Sequence, residues 1–349
     1  MIKEFPKISI IIACLNEENY ISECLESLLM QDYDGDFDII VSDGGSKDKT
    51  IEIIQILQIN NSKIKLINNP NKIQSAGRNI AIESSDAEYI AYIDAHRLAE
   101  KSWLSNLWEV YETKTQADLK IVGVGSVHYD ASKTNFSKAQ EIAFQSLMSG
   151  AGSGNFLNKK TVEKVDHACM CLYNKKIITD VGLYDESLPV GEDIELNHRL
   201  TILNDYNLYL NPGAINYYHP RKDFSSLLMQ QFNYGYWRQI VIAKLRSANK
   251  LNSLQMKKIE GMQLKTYIPA LFVLFIVLLF IMSFFIDYAF YSYWIIVLIY
   301  LFILALASVF YWIINKVSPV NLIIVFVAIH FGYGSGVLTY LFNLKKIRR

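Results

Sequence analysis

Short apolar runs alternate with amphipathic stretches over the first hundred residues. Ile8–Ala13, Phe37–Ser42, Lys63–Ile67 and Tyr89–Ile93 have the length and composition of strands. Between the first two, Ile21, Cys24, Leu25, Leu28 and Leu29 recur at helical spacing over Ile21–Met30. Ile51, Ile54 and Leu57 share one face of a second helix, which starts near Asp48-Lys49-Thr50 with Asp48 as its N-cap. Ser75–Ser84 forms a third helix. Such alternation predicts a parallel sheet with right-handed crossovers. Trp103–Lys114 reads as another helix and Asp166–Tyr173 as another strand. Gly191-Glu192-Asp193 opens a helix through IELNHRLTIL, and Asn207–Leu210 and Ile215–Tyr218 are two short strands before His219-Pro220-Arg221.

The pattern changes completely toward the end. Tyr267–Ile286 carries no charge over a length that crosses a bilayer, and Tyr291–Ile314 repeats the pattern. Tyr288, Tyr291, Tyr293 and Trp294 between them suit a membrane interface. Val320–Leu341 is a third apolar run, broken by His330, Gly332, Gly334 and Gly336. Three spans would put Lys345-Lys346-Ile347-Arg348-Arg349 on the side opposite residues 1–262, against the positive-inside tendency. The third run is therefore read as re-entrant or interfacial, with two true spans before it.

Charge sharpens this division. The chain has 349 residues, 34 Lys/Arg and 34 Asp/Glu. Residues 263–349 hold six of the basic and one of the acidic residues, so residues 1–262 carry the compensating negative balance. A neutral total with no basic domain argues against a nucleic-acid partner. Lys244, Arg246, Lys250, Lys257, Lys258 and Lys265 form a flank suited to anionic lipid on the cytoplasmic side. Cys14, Cys24, Cys169 and Cys171 make no CxxC pair, which fits a reducing compartment. Alternation would place Cys169 and Cys171 on one strand face near His167, but buried small side chains are the simpler reading than a metal site. Ser149–Asn158 is Gly/Ser-rich and reads as a lid or linker; its Gly152-Ser153-Gly154 lacks the lysine of a phosphate loop. The opening MIKEFPKISIII is not a signal peptide.

Asp43 and Asp94 each follow a strand-like run, so a parallel sheet brings them to its carboxyl edge, where open α/β sheets bind ligands. Acids there suit a nucleotide and a divalent cation.

Taken in order, ISIIIACLNEENYISECLESLL, VSDGGSKDKT, NPNKIQSAGRNIAI, YIAYIDAH and VGEDIELNHRL resemble family 2 glycosyltransferases, over roughly residues 7–240. The DAH variant, QFNYGYWR and the apolar tail are most similar to the succinoglycan-biosynthesis glucosyltransferase subgroup. The resemblance implies the α/β nucleotide-sugar-binding fold called GT-A, with a mostly parallel sheet, followed by a transmembrane helical region. It implies base and ribose contacts at Ala13, Leu15, Asn16 and Glu17, a nucleobase contact at Asp43, and a nucleotide-side role for Arg78. Asp94-Ala95-His96 stands where the family shows Asp-x-Asp, so Asp94 and His96 would hold Mg²⁺ or Mn²⁺; imidazole suits Mn²⁺ better. His219 is a further candidate ligand. Asp193 would be the base that takes the proton from the attacking hydroxyl. Arg238 of QFNYGYWR would hold the diphosphate and Arg221 could share that task; the Trp-Arg order reverses that of processive synthases.

These readings predict a membrane-anchored inverting hexosyltransferase, multi-pass in the cell membrane with its catalytic domain cytoplasmic. It would move a sugar from a UDP-sugar to a lipid-linked saccharide in surface polysaccharide synthesis. A processive synthase, a polyprenyl-phosphate glycosyltransferase and a non-enzymatic nucleotide-sugar-binding subunit are the alternatives. The expected boundaries are a GT-A domain at 1–240, a basic amphipathic linker at 241–265, membrane helices at 266–342 and a basic tail at 343–349.

Overall fold

A computed structural model describes residues 5–149, 159–248 and 251–347. The chain begins with β1 (Ile8–Cys14), α1 (Ile21–Leu29), β2 (Phe37–Asp43), α2 (Thr50–Asn60), β3 (Ile64–Asn68), α3 (Gln74–Ser84) and β4 (Tyr89–Tyr92). These four strands are parallel, with Ile10 of β1 between Ile39 of β2 and Ala91 of β4. Sheet order is β3-β2-β1-β4 on this side. β1 and β2 are buried almost throughout, which is why they read as unbroken apolar runs. Ile21, Cys24, Leu25 and Leu28 form the buried face of α1.

The sheet continues through β5 (Arg97–Ala99), α4 (Trp103–Thr115), β6 (Ile121–Asp130), α5 (Asn135–Gln145), β7 (Glu163–Val165), β8 (Cys169–Asn174), α6 (Lys175–Asp180), α7 (Glu192–His198) and β9 (Asn207–Tyr218). β8 lies antiparallel between β4 and β6, while β6 runs parallel to β9. β5 and β7 pair with β9 in antiparallel fashion. The two short strands expected before His219 are one strand. Its ladder to β6 slips between the Ser126–Asn211 and Val127–Ile215 pairs, so Pro212-Gly213 is absorbed as an irregularity rather than ending the strand.

Four long helices follow: α8 (Phe224–Arg246), α9 (Ser253–Met282), α10 (Asp287–Asn315) and α11 (Pro319–Ile347). The compact units do not follow the expected boundary at 240. One comprises residues 1–131 and 159–219, the other 132–158 and 220–349. Of the expected linker at 241–265, the residues up to Arg246 lie in α8 and those from Ser253 lie in α9.

Within the helical unit, α5, α8, α10 and α11 share a core of Ala139, Ala143, Leu227, Leu304, Phe326 and Ile329. The third apolar run is a continuous helix, so the re-entrant reading is corrected. Its glycines are contact points rather than breaks. A Cβ on Gly336 would stand 2.0 Å from the Phe232 carbonyl oxygen, and one on Gly235 would stand 2.2 Å from the Tyr333 carbonyl oxygen. Close backbone approach of two helices needs small residues at the crossing. Among the described residues, three helices are long and apolar enough to cross a membrane; 22% of the α9 window, 11% of the α10 window and 56% of the α11 window is buried within the protein. Gly152-Ser153-Gly154 lies outside the described residues.

Candidate functional site

A cavity of about 210 Å³ opens at the carboxyl edge of the sheet, where β1 ends. Ala13, Cys14, Leu15 and Glu17 form one wall. Lys72 and Gln74 come from the turn into α3, and Asp94 and His96 come from the end of β4. The sequence thus places Ala13, Leu15, Glu17, Asp94 and His96 around one space. Lys72, a cation suited to phosphate, went unnoticed in NPNKIQ.

Asn16 and Asp43 act on the walls. Asp43 is 4% exposed. Its Oδ2 accepts the Gly45 and Ser46 N–H groups at 2.7 and 2.9 Å, and its Oδ1 accepts the Ser46 hydroxyl at 2.5 Å. It ties down the turn after β2, and the cavity lining does not include it. Asn16, at φ +56°, accepts the Lys47 N–H at 2.8 Å, while its own N–H donates to Ser46 Oγ at 2.8 Å. The Asp48 carboxylate accepts the Thr50 N–H at 3.0 Å and so caps α2 from one residue before the N-cap position, which Lys49 occupies.

Asp94 is held on every side. Its Oδ1 accepts Gln74 Nε2 and Arg78 Nη2, both at 2.8 Å, and its Oδ2 accepts Arg97 Nε at 3.1 Å. Arg78 is 3% exposed and donates from Nη1 to Glu192 at 2.7 Å. Its guanidinium stacks over Tyr92 at 4.5 Å. Arg78 is therefore neither a nucleotide contact on the cavity wall nor a helix-surface residue; it joins the Asp94 motif to the Glu192-Asp193 motif. Burial opposes ionisation of Asp94, but Arg97 and Arg78 outweigh it and hold the carboxyl well below its usual range. Burial pushes Glu192 up to about 7 against the pull of Arg78.

His96 is the residue best prepared to hold a metal. Its Nδ1 meets Glu17 Oε1 at 3.0 Å; a carboxylate oxygen accepts, so Nδ1 donates there and Nε2 is the nitrogen left to face a metal. A carboxylate behind a ligating imidazole is the usual supporting arrangement. Asp94 Oδ2 accepts from Arg97 and retains room for one further partner. This donor set fits a divalent cation. His219 packs against Tyr20 with ring centroids 4.7 Å apart and the planes tilted by 33°, and it does not line the cavity.

Asp193 is the second residue of α7, whose N-cap Gly191 takes φ +83°. Its Oδ1 accepts the Ile194 N–H at 2.7 Å. Its Oδ2 lies 4.0 Å from Cys169 Sγ, which lies 3.7 Å from His167 Nε2. Simple alternation along β8 fails here because Met170 sits at φ +48°. That twist turns Cys171 into the core, where it is fully buried, and leaves Cys169 beside Asp193. Burial pushes the Cys169 thiol well up, and Asp193 adds to the effect. His128, on β6, is pushed down to about 3 by burial and by Arg97. Arg221 and Arg238 belong to the helical unit. The Arg221 carbonyl accepts Gln140 Nε2 at 2.7 Å.

The model for "Glycosyl transferase family 2" matches residues 9–182. A dolichyl N-acetyl-alpha-D-glucosaminyl phosphate 3-beta-D-2,3-diacetamido-2,3-dideoxy-beta-D-glucuronosyltransferase of Methanococcus voltae is 30% identical over 241 residues, 68% of this chain and 74% of that protein. Succinoglycan biosynthesis protein ExoA of Rhizobium meliloti is 30% identical over 247 residues, 70% of this chain and 73% of that protein. Among solved structures, the Pyrobaculum calidifontis mannosyltransferase PcManGT, in complex with GDP-Man and Mn²⁺, superposes with a TM-score of 0.65 at 14% identity, over 97% of this chain and 88% of that one. S. aureus TarS 1-349, in complex with UDP, gives 0.55 at 15% identity over 75% and 72%. The fold is accordingly GT-A-like.

Proposed function

This chain belongs to glycosyltransferase family 2 and is a transferase of glycan biosynthesis, and we propose that it moves a sugar from a UDP-sugar to a lipid-linked saccharide with inversion. The observation that carries this reading is the arrangement at the sheet edge. A cavity with Lys72 and His96 on its walls adjoins Asp94, and Arg78 links Asp94 to the Glu192-Asp193 turn.

Each residue then has a task. Ala13, Leu15 and Glu17 line the space for the nucleoside, and Asp43 keeps the turn beside it in shape. A bound Mg²⁺ or Mn²⁺, held by His96 Nε2 and Asp94 Oδ2, would neutralise diphosphate charge. Glu17 keeps the His96 tautomer correct for that. Lys72 adds a charge-assisted contact to phosphate oxygen. Asp193 accepts the proton of the acceptor hydroxyl as its oxygen bonds to the anomeric carbon and the bond from that carbon to UDP breaks. Arg78 holds Glu192, and with it the first turn of α7, in a fixed place relative to Asp94. Arg221 and Arg238 are proposed to meet the diphosphate or the acceptor phosphate. The Methanococcus relative is named for action on a dolichyl-linked sugar phosphate, which supports a lipid-linked acceptor here.

A lipid-linked acceptor would meet the enzyme at the bilayer, and the long apolar helices support that reading. α9 and α10 expose most of their apolar surface and are read as spans. α11 is more than half covered, chiefly by α8 and then by α9, with α5 against it as well, and is read as lying with α8 and α5 at the interface. Two spans return the basic C-terminus to the side of the catalytic domain, here taken as cytoplasmic. The test is a donor panel with the detergent-solubilised full chain and membrane extract as acceptor, read as released nucleoside diphosphate with and without Mn²⁺. UDP-sugar turnover that needs Mn²⁺ and falls at least tenfold in His96→Ala supports the reading. Turnover only with non-uridine donors, or a His96→Ala variant with unchanged Mn²⁺ response, contradicts it.

A further inference from the structure

Among the described residues, one cluster of ligating atoms outside the cavity has no part in the chemistry above except through Asp193. His167, Cys169 and Asp193 offer a nitrogen, a sulfur and an oxygen that all lie within 4.8 Å of one another. Tetrahedral zinc bonds of about 2.3 Å to sulfur and about 2.0 Å to nitrogen or oxygen separate such ligand atoms by about 3.5 Å. The observed separations of 3.7 Å from Cys169 Sγ to His167 Nε2 and 4.0 Å to Asp193 Oδ2 need only a small contraction. Met170 holds φ +48° between Cys169 and Cys171, and this uncommon conformation for a non-glycine residue is what delivers the sulfur to the cluster.

We propose that His167, Cys169 and Asp193 form a zinc(II) site, and that Zn²⁺ bound there silences transfer by occupying the base. The binding half stands on the geometry alone; the silencing half rests on Asp193 acting as the base. A thiolate and an imidazole select Zn²⁺ over Mg²⁺ or Mn²⁺. Three protein ligands leave a fourth position for water. The cluster is thus separate in chemistry from a Mn²⁺ site at His96 and Asp94. Binding releases one proton, from the Cys169 thiol, while Asp193 binds as the carboxylate.

The second shell sets the affinity. Asn197 Nδ2 contacts His167 Nδ1 at 3.0 Å and donates to the Ala168 carbonyl at 2.7 Å, and Asn197 Oδ1 accepts the Tyr173 hydroxyl at 2.5 Å. In the metal-free protein this network puts the His167 proton on Nε2. Zinc needs that proton on Nδ1, so the amide must turn and the Ala168 carbonyl loses its donor. The wild-type site is therefore weaker than a dedicated structural zinc site. Asn197→Asp supplies an acceptor for Nδ1–H and should tighten zinc binding by roughly tenfold or more, the scale on which second-shell partners act.

The experiment titrates Zn²⁺ into metal-stripped, detergent-solubilised full chain against a chromogenic chelator, with X-ray absorption on the zinc-loaded sample. The expected result is one zinc equivalent with a sulfur neighbour at about 2.3 Å. That equivalent should be lost in Cys169→Ser and in His167→Gln, kept in His96→Ala, and held more tightly in Asn197→Asp. A zinc shell without sulfur, or unchanged affinity in Cys169→Ser, overturns the site. In parallel, zinc should suppress UDP release by the wild type in excess Mn²⁺, and a zinc-selective chelator should restore it. A sulfur-ligated zinc that leaves turnover unchanged overturns the silencing half and counts against Asp193 as base, while the binding site stands.

Discussion

Replacing Arg78 by Met should separate the two acidic motifs and unsettle the domain, with Glu192 as the main source of the loss. The guanidinium donates to Asp94 at 2.8 Å and to Glu192 at 2.7 Å, inside the protein. Breaking a buried pair by removing one partner costs about 3–5 kcal/mol, because an uncompensated charge stays buried. Here the lower end applies. Asp94 keeps Gln74 and Arg97, and Glu192 is already pushed up to about 7, so it can take a proton instead of remaining a bare anion. In the double variant Arg78→Met/Glu192→Gln the buried acid is gone and only one of three donors to Asp94 is missing. That leaves about 1 kcal/mol. For a unit of this size each kcal/mol moves the midpoint by about 2–4 °C. The single variant should therefore melt about 6–12 °C below wild type, and the double variant should recover more than half of that. The assay is tryptophan fluorescence on heating the full chain in detergent at pH 8, where Glu192 is ionised. A single-variant shift under about 2 °C, or a double variant no more stable than the single, would refute the buried link.

Three further outcomes follow from other parts of the molecule. Gly336→Leu should wreck the α8–α11 crossing, since the added Cβ would meet the Phe232 carbonyl oxygen at 2.0 Å and the Tyr236 nitrogen at 2.8 Å; monodisperse yield should collapse, whereas Gly261→Leu, with nothing within 4 Å, should be tolerated. His128 is neutral in the fold because burial and Arg97 lower it to about 3 from 6.5; its stabilising contribution is full above pH 6.5 and is lost as pH falls toward 3, at up to about 1.4 kcal/mol per pH unit. His128→Gln should flatten the melting-temperature decline between pH 6.5 and 4, and an unchanged slope would remove His128 as its source. A reporter fused after Arg349 should be active on the side that holds the catalytic domain; activity on the opposite side would make α11 a third span.

Much of the first unit was legible because buried parallel strands announce themselves as apolar runs, and the residue after each run must lie at the sheet edge. That logic placed Asp94 and His96 correctly around the cavity. It put Asp43 at the same edge but missed that the Gly45 and Ser46 N–H groups already claim its carboxylate. Long-range partners were invisible. Nothing local in SAGRN says that Arg78 reaches Glu192, which is 114 residues away, and nothing near His96 points to Glu17. Arg97 sits beside the DAH motif, and that adjacency was a usable signal. The Cys169 position was misread because alternation assumes extended backbone, and Met170 departs from it. The α11 glycines looked like breaks because sequence shows spacing but not what packs against it.

In the proposed reaction Asp193 removes the proton from the acceptor hydroxyl. Asp193→Asn keeps the side-chain volume and the turn into α7 but cannot accept that proton. The decisive measurement compares this variant with wild type, reading UDP affinity by calorimetry and sugar transfer in a single turnover. With Asp193 as base, UDP affinity stays within about threefold and transfer falls by at least the roughly 10²–10⁴-fold typical of losing a general base. Transfer within tenfold of wild type, at unchanged UDP affinity, would contradict it.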